Sequence, residues 1–156
     1  MYESGKPLEN AVIKALKILG YSAENYDDGK LELDQVIISP EGDRFIGECE
    51  GKDNKDIDIT KFRQLQDGLN ADFEREEVSE KAYGLLIGNP QRMIDPNLRT
   101  LDFTEKCQSA AKREQMGLSG NFWLVSFKIS YLCLPLFYET RTTPSCHPSG
   151  CAYRQL

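Results

Sequence analysis

The sequence predicts an α/β fold with helices around a central mixed sheet. Apolar residues recur at helical spacing near the start of the chain, and two extended runs with a turn between them follow. A third apolar run then lies between two further helical patterns. The 156 residues, 40% of them apolar and 28% charged, are typical of one globular domain with an adequate core.

The first predicted element is a helix over residues 7–21. Apolar residues recur on one of its faces, and Gly20 is a typical stop signal; the apolar positions are 8, 12, 15, 16 and 19. Glu9 falls in the first turn of this helix, where the helix dipole favours a carboxylate.

Two extended runs, residues 31–39 and 44–52, predict a β-hairpin. The four residues between them, Pro-Glu-Gly-Asp, are a turn signal. Side chains two apart on a strand share a face and lie about 7 Å apart, so Glu50 and Lys52 point the same way. Asp34 can meet them from the adjacent strand.

The acidic face of this hairpin suits a metal-dependent hydrolase. Asp34 and Glu50 offer hard oxygen ligands for Mg²⁺ or Mn²⁺, and Glu48 is a further carboxylate on the same face that can share the metal. Lys52 would orient or help deprotonate an attacking water, or offset charge in the transition state. The alternative is a solvated strand face, because Glu and Lys are common on exposed strands. The position of these charges at the end of an apolar strand favours function.

A helix and a buried strand are predicted after the hairpin. Thr60 is the predicted N-cap of the helix, whose apolar residues stand at 62, 65, 69 and 73. Residues 81–89 form an apolar run, which predicts a central strand buried on both faces.

The last part of the predicted domain begins with a loop at residues 90–99. Thr104 is the predicted N-cap of a helix that runs to about Met116 and stops at Gly117. Residues 122–129 are the remaining apolar run, and we expect them to form the final strand of the sheet.

The pattern of Asp34, Glu50 and Lys52 resembles that of the PD-(D/E)xK superfamily, and the resemblance covers roughly residues 7–118. It implies a restriction-endonuclease-like three-layer fold. It also implies hydrolysis of phosphodiester bonds in nucleic acid with Mg²⁺ or Mn²⁺, with DNA favoured over RNA. The residue before Asp34 is Leu33, where many members of the family have proline.

The resemblance also implies roles for four residues outside this pattern. A glutamate of the opening helix often reaches the metal site in the family, which implies Glu9 as an accessory catalytic residue. The alternative is that Glu9 only stabilises the helix, because a carboxylate in the first turn interacts favourably with the helix dipole. The helix after the Glu-x-Lys strand often carries basic and glutamine side chains that contact the scissile phosphate. This implies Lys61, Arg63 and Gln64 as substrate-binding residues. An exposed helix face is the alternative for each of them.

The net charge of −6 argues against tight independent binding of nucleic acid. Residues 1–118 carry 16 Lys and Arg against 24 Asp and Glu, whereas affinity for nucleic acid comes mainly from basic surface. We therefore expect a weak or recruited nuclease that relies on local positive charge, a protein partner or a homodimer. The leading alternative is a catalytically idle binding or regulatory module of the same fold within a larger assembly.

The composition changes sharply after Ser119, where charges become sparse. We expect a domain over residues 1–130 and a disordered or anomalous tail over residues 131–156. Three of the five cysteines lie in the tail, without the close pairs of structural zinc sites. The apolar run at residues 122–138 is interrupted by Lys and Pro, which disfavours a membrane span, and a membrane-tethered module is the third option. The odd cysteine count and the polar residues 1–6 predict a cytoplasmic protein.

Overall fold

A mixed sheet with helices on both faces makes up the described part of the chain. The structure is a computed structural model that describes residues 3–100 and 102–120, all within the first of the two units of the chain, residues 1–126. In chain order, the elements of the described residues are α1 (Gly5–Ile18), β1 (Ser22–Asp27), β2 (Glu32–Ile38), β3 (Arg44–Gly51), α2 (Ile59–Phe73), β4 (Tyr83–Asn89), a 3₁₀ turn (Pro96–Leu98), α3 (Glu105–Glu114) and β5 (Gly117–Gly120). The predicted α/β class with a central mixed sheet is confirmed.

The strands lie in the order β1-β2-β3-β4-β5 across the sheet. β2 is antiparallel to both of its neighbours, whereas β4 is parallel to both β3 and β5. The hairpin of β2 and β3, closed by the pair of Ile38 and Arg44, confirms the predicted one. Because these two strands run in opposite directions, the start of β2 lies beside the end of β3.

α1 covers one face of the sheet, and α2 and α3 cover the other. The core under α1 consists of Leu8, Val12, Leu16, Ala23, Ile37, Cys49 and Ile87. The larger core under α2 and α3 includes Leu33, Ile46, Ile57, Phe62, Leu65, Leu69, Leu86, Phe103, Cys107, Ala110 and Ala111. β3 and β4 therefore bury apolar side chains on both faces, as the predicted central strand requires.

The ends of α1 and α2 differ from the predictions. Asp58 rather than Thr60 caps α2, and its side chain accepts the Thr60 N–H at 2.8 Å. Phe73 does not belong to the buried stripe of α2, because 47% of it is exposed. α1 ends at Ile18, so Leu19 lies beyond the helix instead of on its apolar face.

The third helix begins as predicted and ends early. The Thr104 hydroxyl accepts the Cys107 N–H at 3.4 Å, which confirms the N-cap. Gln115 then adopts a left-handed conformation with φ 55°, which stops α3 before Met116. Gly117, predicted as the stop signal, is the first residue of β5.

The sequence pattern does not predict β1 or β5. β1 is an edge strand with a mostly polar sequence, and the described part of β5 has four residues, two of them glycine. The predicted strand at 122–129, the tail at 131–156 and its cysteines lie outside the described residues. Within the described part, no helix combines the length and the apolar composition needed to cross a bilayer.

A bulge between β1 and β2 decides where Asp34 points. Between the pairs Glu24 with Val36 and Tyr26 with Leu33, one residue of β1 stands opposite two residues of β2. The extra residue breaks the alternation of side chains, so that Leu33 and Val36 both pack on the face covered by α2. Asp34 is one of the two residues of β2 in this bulge, and its side chain accepts the Cys49 N–H of β3.

Candidate functional site

Four elements bring most of the predicted site residues to one end of the sheet. Asp34 lies near the start of β2, and Glu48 and Glu50 lie near the end of β3. Glu9 comes from the N-terminal half of α1, and Lys61 comes from the first turn of α2. The antiparallel pairing of β2 with β3 sets the acids side by side, while the two helices approach from opposite faces.

Asp34 is held by the backbone of β3. Its Oδ2 accepts the Cys49 N–H at 2.9 Å, in place of the carbonyl that a regular ladder would supply. Its carboxyl group is also hydrogen-bonded to that of Glu48, and burial raises the pKa of Asp34. The structure therefore brings Asp34 to Glu48, whereas the hairpin pattern predicts a meeting with Glu50 and Lys52.

Glu48 is a carboxyl group in nearly full burial, with 6% of the residue exposed. Its Oε1 lies 2.7 Å from the Nζ of Lys61. Burial, together with the charge of Asp34, raises the pKa of Glu48 to about 7 in spite of the opposing Lys61 ammonium. Two carboxyl groups in contact and out of water cannot both ionise freely, so near neutral pH this pair shares a proton.

Two lysines alternate with the carboxylates of β3. The Nζ of Lys61 lies 2.7 Å from Glu48 and 3.6 Å from Glu50, and the Nζ of Lys52 lies 2.8 Å from Glu50. Burial lowers the pKa of Lys61, but the hydrogen bond to Glu48 and the charges of the acids outweigh it and leave that pKa raised. The bond to Glu50 raises the pKa of Lys52. Both lysines are therefore cations, and Lys61 is the one that reaches the pair of Asp34 and Glu48.

Glu9 faces the same region but has partners of its own. Its Oε2 accepts the Asn25 Nδ2 at 3.1 Å and lies 3.0 Å from the Lys6 Nζ. Asn25 also donates to the backbone carbonyl of Asp34, so it links α1 to the bulge in β2. Burial is the largest cause that raises the pKa of Asp34, and the negative charge of Glu9 raises it further. Asn25 lies in β1, which the sequence pattern does not predict, and a single polar residue does not indicate a role in the site.

Gln35 and Cys49 lie beneath the acids on the α1 face. The Gln35 Nε2 lies 3.1 Å from the Cys49 Sγ and 3.4 Å from the Glu9 carbonyl oxygen. A Cβ at Gly47 would come within 2.7 Å of the Gln35 Oε1, so glycine makes room for this amide. Burial raises the pKa of the Cys49 thiol, which therefore stays protonated and is not a nucleophile.

Arg63 and Gln64 are exposed on α2 and lie apart from the ion pairs of the acids. Arg63 lines a groove between α2 and α3. Gln64 lines a smaller groove between α2 and β2, which also reaches Glu48. Of the three predicted substrate-binding residues, the structure therefore places Lys61 alone in ion pairs with the acids.

The donor set suits a Mg²⁺ or Mn²⁺ ion with few protein ligands. Over residues 3–100 and 102–120, no three Asp, Glu, His or Cys side chains converge closely enough to hold an ion unaided. Asp34 and Glu48 nevertheless form a contacting pair of hard oxygen donors whose shared proton a divalent ion can replace. Mg²⁺ usually binds one or two protein carboxylates and keeps several waters, so a pair of this kind fits it.

Comparison with solved structures relates the fold to that of a nuclease. The chain is similar to a repair endonuclease from Pyrococcus abyssi, with a TM-score of 0.53 and 13% identity over 77% of this chain and 48% of the other. The likeness concerns the fold, and the chain spans about half of the length of that endonuclease. A second similar structure, protein VC1899 from Vibrio cholerae, has a TM-score of 0.39 and 18% identity over 75% of this chain and 29% of the other. No protein-family model and no curated protein matches the chain.

Proposed function

We propose that the domain is a Mg²⁺- or Mn²⁺-dependent nuclease that hydrolyses phosphodiester bonds in nucleic acid, with DNA favoured over RNA. The observation that carries the proposal is the contact of Asp34 with Glu48 beside the Lys61 ammonium, at the end of the sheet. The fold similarity to a repair endonuclease supports the proposal by analogy alone. One fold can host many chemistries, so the residues of the site carry the argument.

Asp34 and Glu48 are the proposed metal ligands, with Glu50 beside them. A divalent ion held by these residues would supply Lewis-acid polarisation of a phosphoryl oxygen and would lower the pKa of water. The Cys49 N–H holds Asp34 in one orientation, so the ligand is set before any ion arrives. Glu9 has the accessory role of adding negative charge near Asp34, which strengthens the attraction for a cation.

Lys61 is the lysine that we assign to the reaction, and Lys52 is the second candidate. Each is a cation, so each can hold the scissile phosphate or offset the charge that develops on it. Lys61 approaches both Glu48 and Glu50, whereas Lys52 pairs with Glu50. Its place between two carboxylates puts the Lys61 ammonium beside the proposed metal ligands.

A catalytically idle module of the same fold is the second candidate. The observation that favours it is the neutralisation of both β3 carboxylates, Glu48 and Glu50, by lysine ammonium groups. A domain that keeps these ion pairs can serve a larger assembly as a binding or regulatory part without any metal. Metal binding and cleavage separate the two candidates, because the nuclease requires both.

Nicking of supercoiled plasmid in Mn²⁺ tests the nuclease. We expect wild type to nick DNA and Asp34→Asn to lower the rate by about 10²-fold or more, since Asn keeps the bond to the Cys49 N–H but loses the charge. The matched control, Asp43→Asn, changes an exposed aspartate at the far end of the hairpin and should keep the wild-type rate. Absence of nicking by wild type in Mn²⁺ and Mg²⁺ would favour the idle module, and equal losses in both variants would remove Asp34 from the proposed site.

The same assay distinguishes the two lysines. Lys61→Met should lower the nicking rate about as far as Asp34→Asn does, and Lys52→Met should lower it less, because Lys52 is paired at the margin of the site. The reverse order would assign the reaction to Lys52, the lysine that the Glu-x-Lys pattern selects.

A further inference from the structure

An open groove of about 470 Å³ lies between α2 and α3, and its charge is opposite to that of the chain. Arg63, Lys106 and Arg113 line it, and Glu105 is the acidic residue among the described lining residues. Arg113 also contacts Glu114 at 2.8 Å on the exposed side of α3. Three cations against one lining carboxylate make this a locally positive surface in a chain of net charge −6.

The groove on the other side of α2 is acidic. It measures about 240 Å³, and its charged lining residues are Glu32, Glu48 and Asp67. The described residues that line it include no Lys or Arg. The two grooves beside α2 therefore differ in the charge of their lining side chains, and the cationic one is the groove on the α3 side.

The positive groove begins at the end of the sheet that holds the acids. The segments before α2 and α3 are paired by two backbone hydrogen bonds of Ile57, at 3.1 and 3.0 Å, which set the N-termini of the two helices side by side. In its first turns, α2 directs Lys61 to the acids and Arg63 into the groove. The groove therefore begins beside the first turn of α2, the turn that also carries Lys61.

We propose that the groove between α2 and α3 binds the phosphate backbone of a nucleic-acid strand. The inference rests on the proposed function and adds the path by which the substrate reaches the acids. Glu105 and Arg113 are about 12 Å apart along α3, a length that spans about three phosphates of one strand. The guanidinium groups of Arg63 and Arg113 match phosphate oxygens with paired donors, and Gln66 and Ser109 add neutral donors. Such contacts position the strand without reading its sequence.

Charge reversal in the groove tests this assignment. Arg63→Glu with Arg113→Glu removes two of its cations. The matched control, Lys14→Glu with Lys17→Glu, changes the net charge equally at exposed sites of α1, on the opposite face of the sheet. The probe is a fluorescein-labelled DNA duplex in EDTA, so that anisotropy reports binding without metal-dependent cleavage.

We expect the groove variant to lose about tenfold or more in affinity at low salt, and the control to stay within about twofold. The slope of log affinity against log salt should also fall by about 2, because each duplex phosphate contact contributes roughly 0.9. Equal losses in the two variants would reduce the effect to net charge and overturn the proposal. Absence of saturable wild-type binding, or displacement of the DNA by polyglutamate at equal charge, would overturn it as well.

The outcome for the groove is separable from the outcome for the nuclease. Binding that depends on the groove, with no nicking in Mn²⁺, would leave the groove assignment standing and remove the nuclease. Nicking that depends on Asp34, with wild-type DNA affinity in the groove variant, would do the reverse. Circular dichroism of both variants confirms that they are folded before either comparison is made.

Discussion

Glu48 shows how a single buried carboxyl group links the fold to the chemistry of the site. A carboxylate out of water must be paired or protonated, and Glu48 is both close to Lys61 and in contact with Asp34. Burial is the main reason that its pKa rises to about 7. A group with this pKa exchanges a proton near neutral pH and can exchange it for a cation in the same range.

We expect the metal-free protein to lose stability as the pH rises from about 5 to about 8. The folded chain keeps a proton on Glu48 between the ordinary value of 4.5 and about 7, whereas the unfolded chain has released it. The stabilisation by this bound proton is thus complete below pH 4.5 and is lost as the pH rises through about 7. The difference between these two pKa values corresponds to a loss of about 3 kcal/mol in the free energy of unfolding.

Urea unfolding at several pH values in EDTA measures this dependence. Glu48→Gln cannot titrate, so its stability should change less over the same range. A wild-type profile as flat as that of Glu48→Gln would contradict the raised pKa.

The residues of the candidate site can largely be proposed from the sequence, but their contacts cannot. Alternation along β3 places Glu48 and Glu50 on one face, and a turn and an apolar run reveal the hairpin. The contact of Asp34 with Glu48 depends on the bulge opposite β1, a polar edge strand with no pattern of its own. The position of Lys61 depends on how α2 packs, which a single charged residue does not disclose.

At the scale of elements, α2 is fixed at its C-terminal end by a buried ionic cluster. The fully buried Asp72 accepts two hydrogen bonds from the Arg44 guanidinium of β3 and one from Arg75 at 3.0 Å. Arg75 lies over the Tyr26 ring of β1, 4.0 Å from its centroid. Burial raises the pKa of Asp72, but the two arginines outweigh it and leave that pKa lowered. The cluster ties α2 to two strands and so helps to fix Lys61 at the other end of the helix.

Removing the centre of this cluster should destabilise the domain. Asp72→Ala leaves two guanidinium groups without their buried partner, and we expect a loss of about 3 kcal/mol, the lower end for a broken buried pair, because Arg44 and Arg75 retain some access to water. Asp67→Ala, at an exposed site of the same helix, is the matched control and should change stability by less than about 0.5 kcal/mol. Urea denaturation at pH 7 measures both. A similar loss in both variants would show that the cluster contributes nothing beyond helix propensity and surface charge.

At the scale of the whole molecule, the arrangement of the helices around the sheet can be predicted from the apolar pattern. The distribution of charge over the surface cannot. Helical stripes and buried strands predict a sheet between helices, because each apolar face must be covered. The charge of −6 predicts weak contact with nucleic acid, yet the fold gathers cations in one groove and acids in another. The separation of the cations from the acids depends on which helix faces meet, so the net charge alone does not reveal it.

The gathered acids should make the stability of the domain depend on metal. A divalent ion that binds the folded chain at about 100 times its Kd adds about 2.7 kcal/mol, which raises the Tm of a domain of this size by roughly 5 to 10 °C. Asp34→Asn removes one of two crowded carboxyl groups, so in EDTA this variant should melt above wild type, and it should lose the response to Mn²⁺. Asp43→Asn keeps the site intact and should respond as wild type does. Scanning calorimetry with and without Mn²⁺ measures all three proteins, and an undiminished shift in Asp34→Asn would place the ion on other acids of this acidic chain.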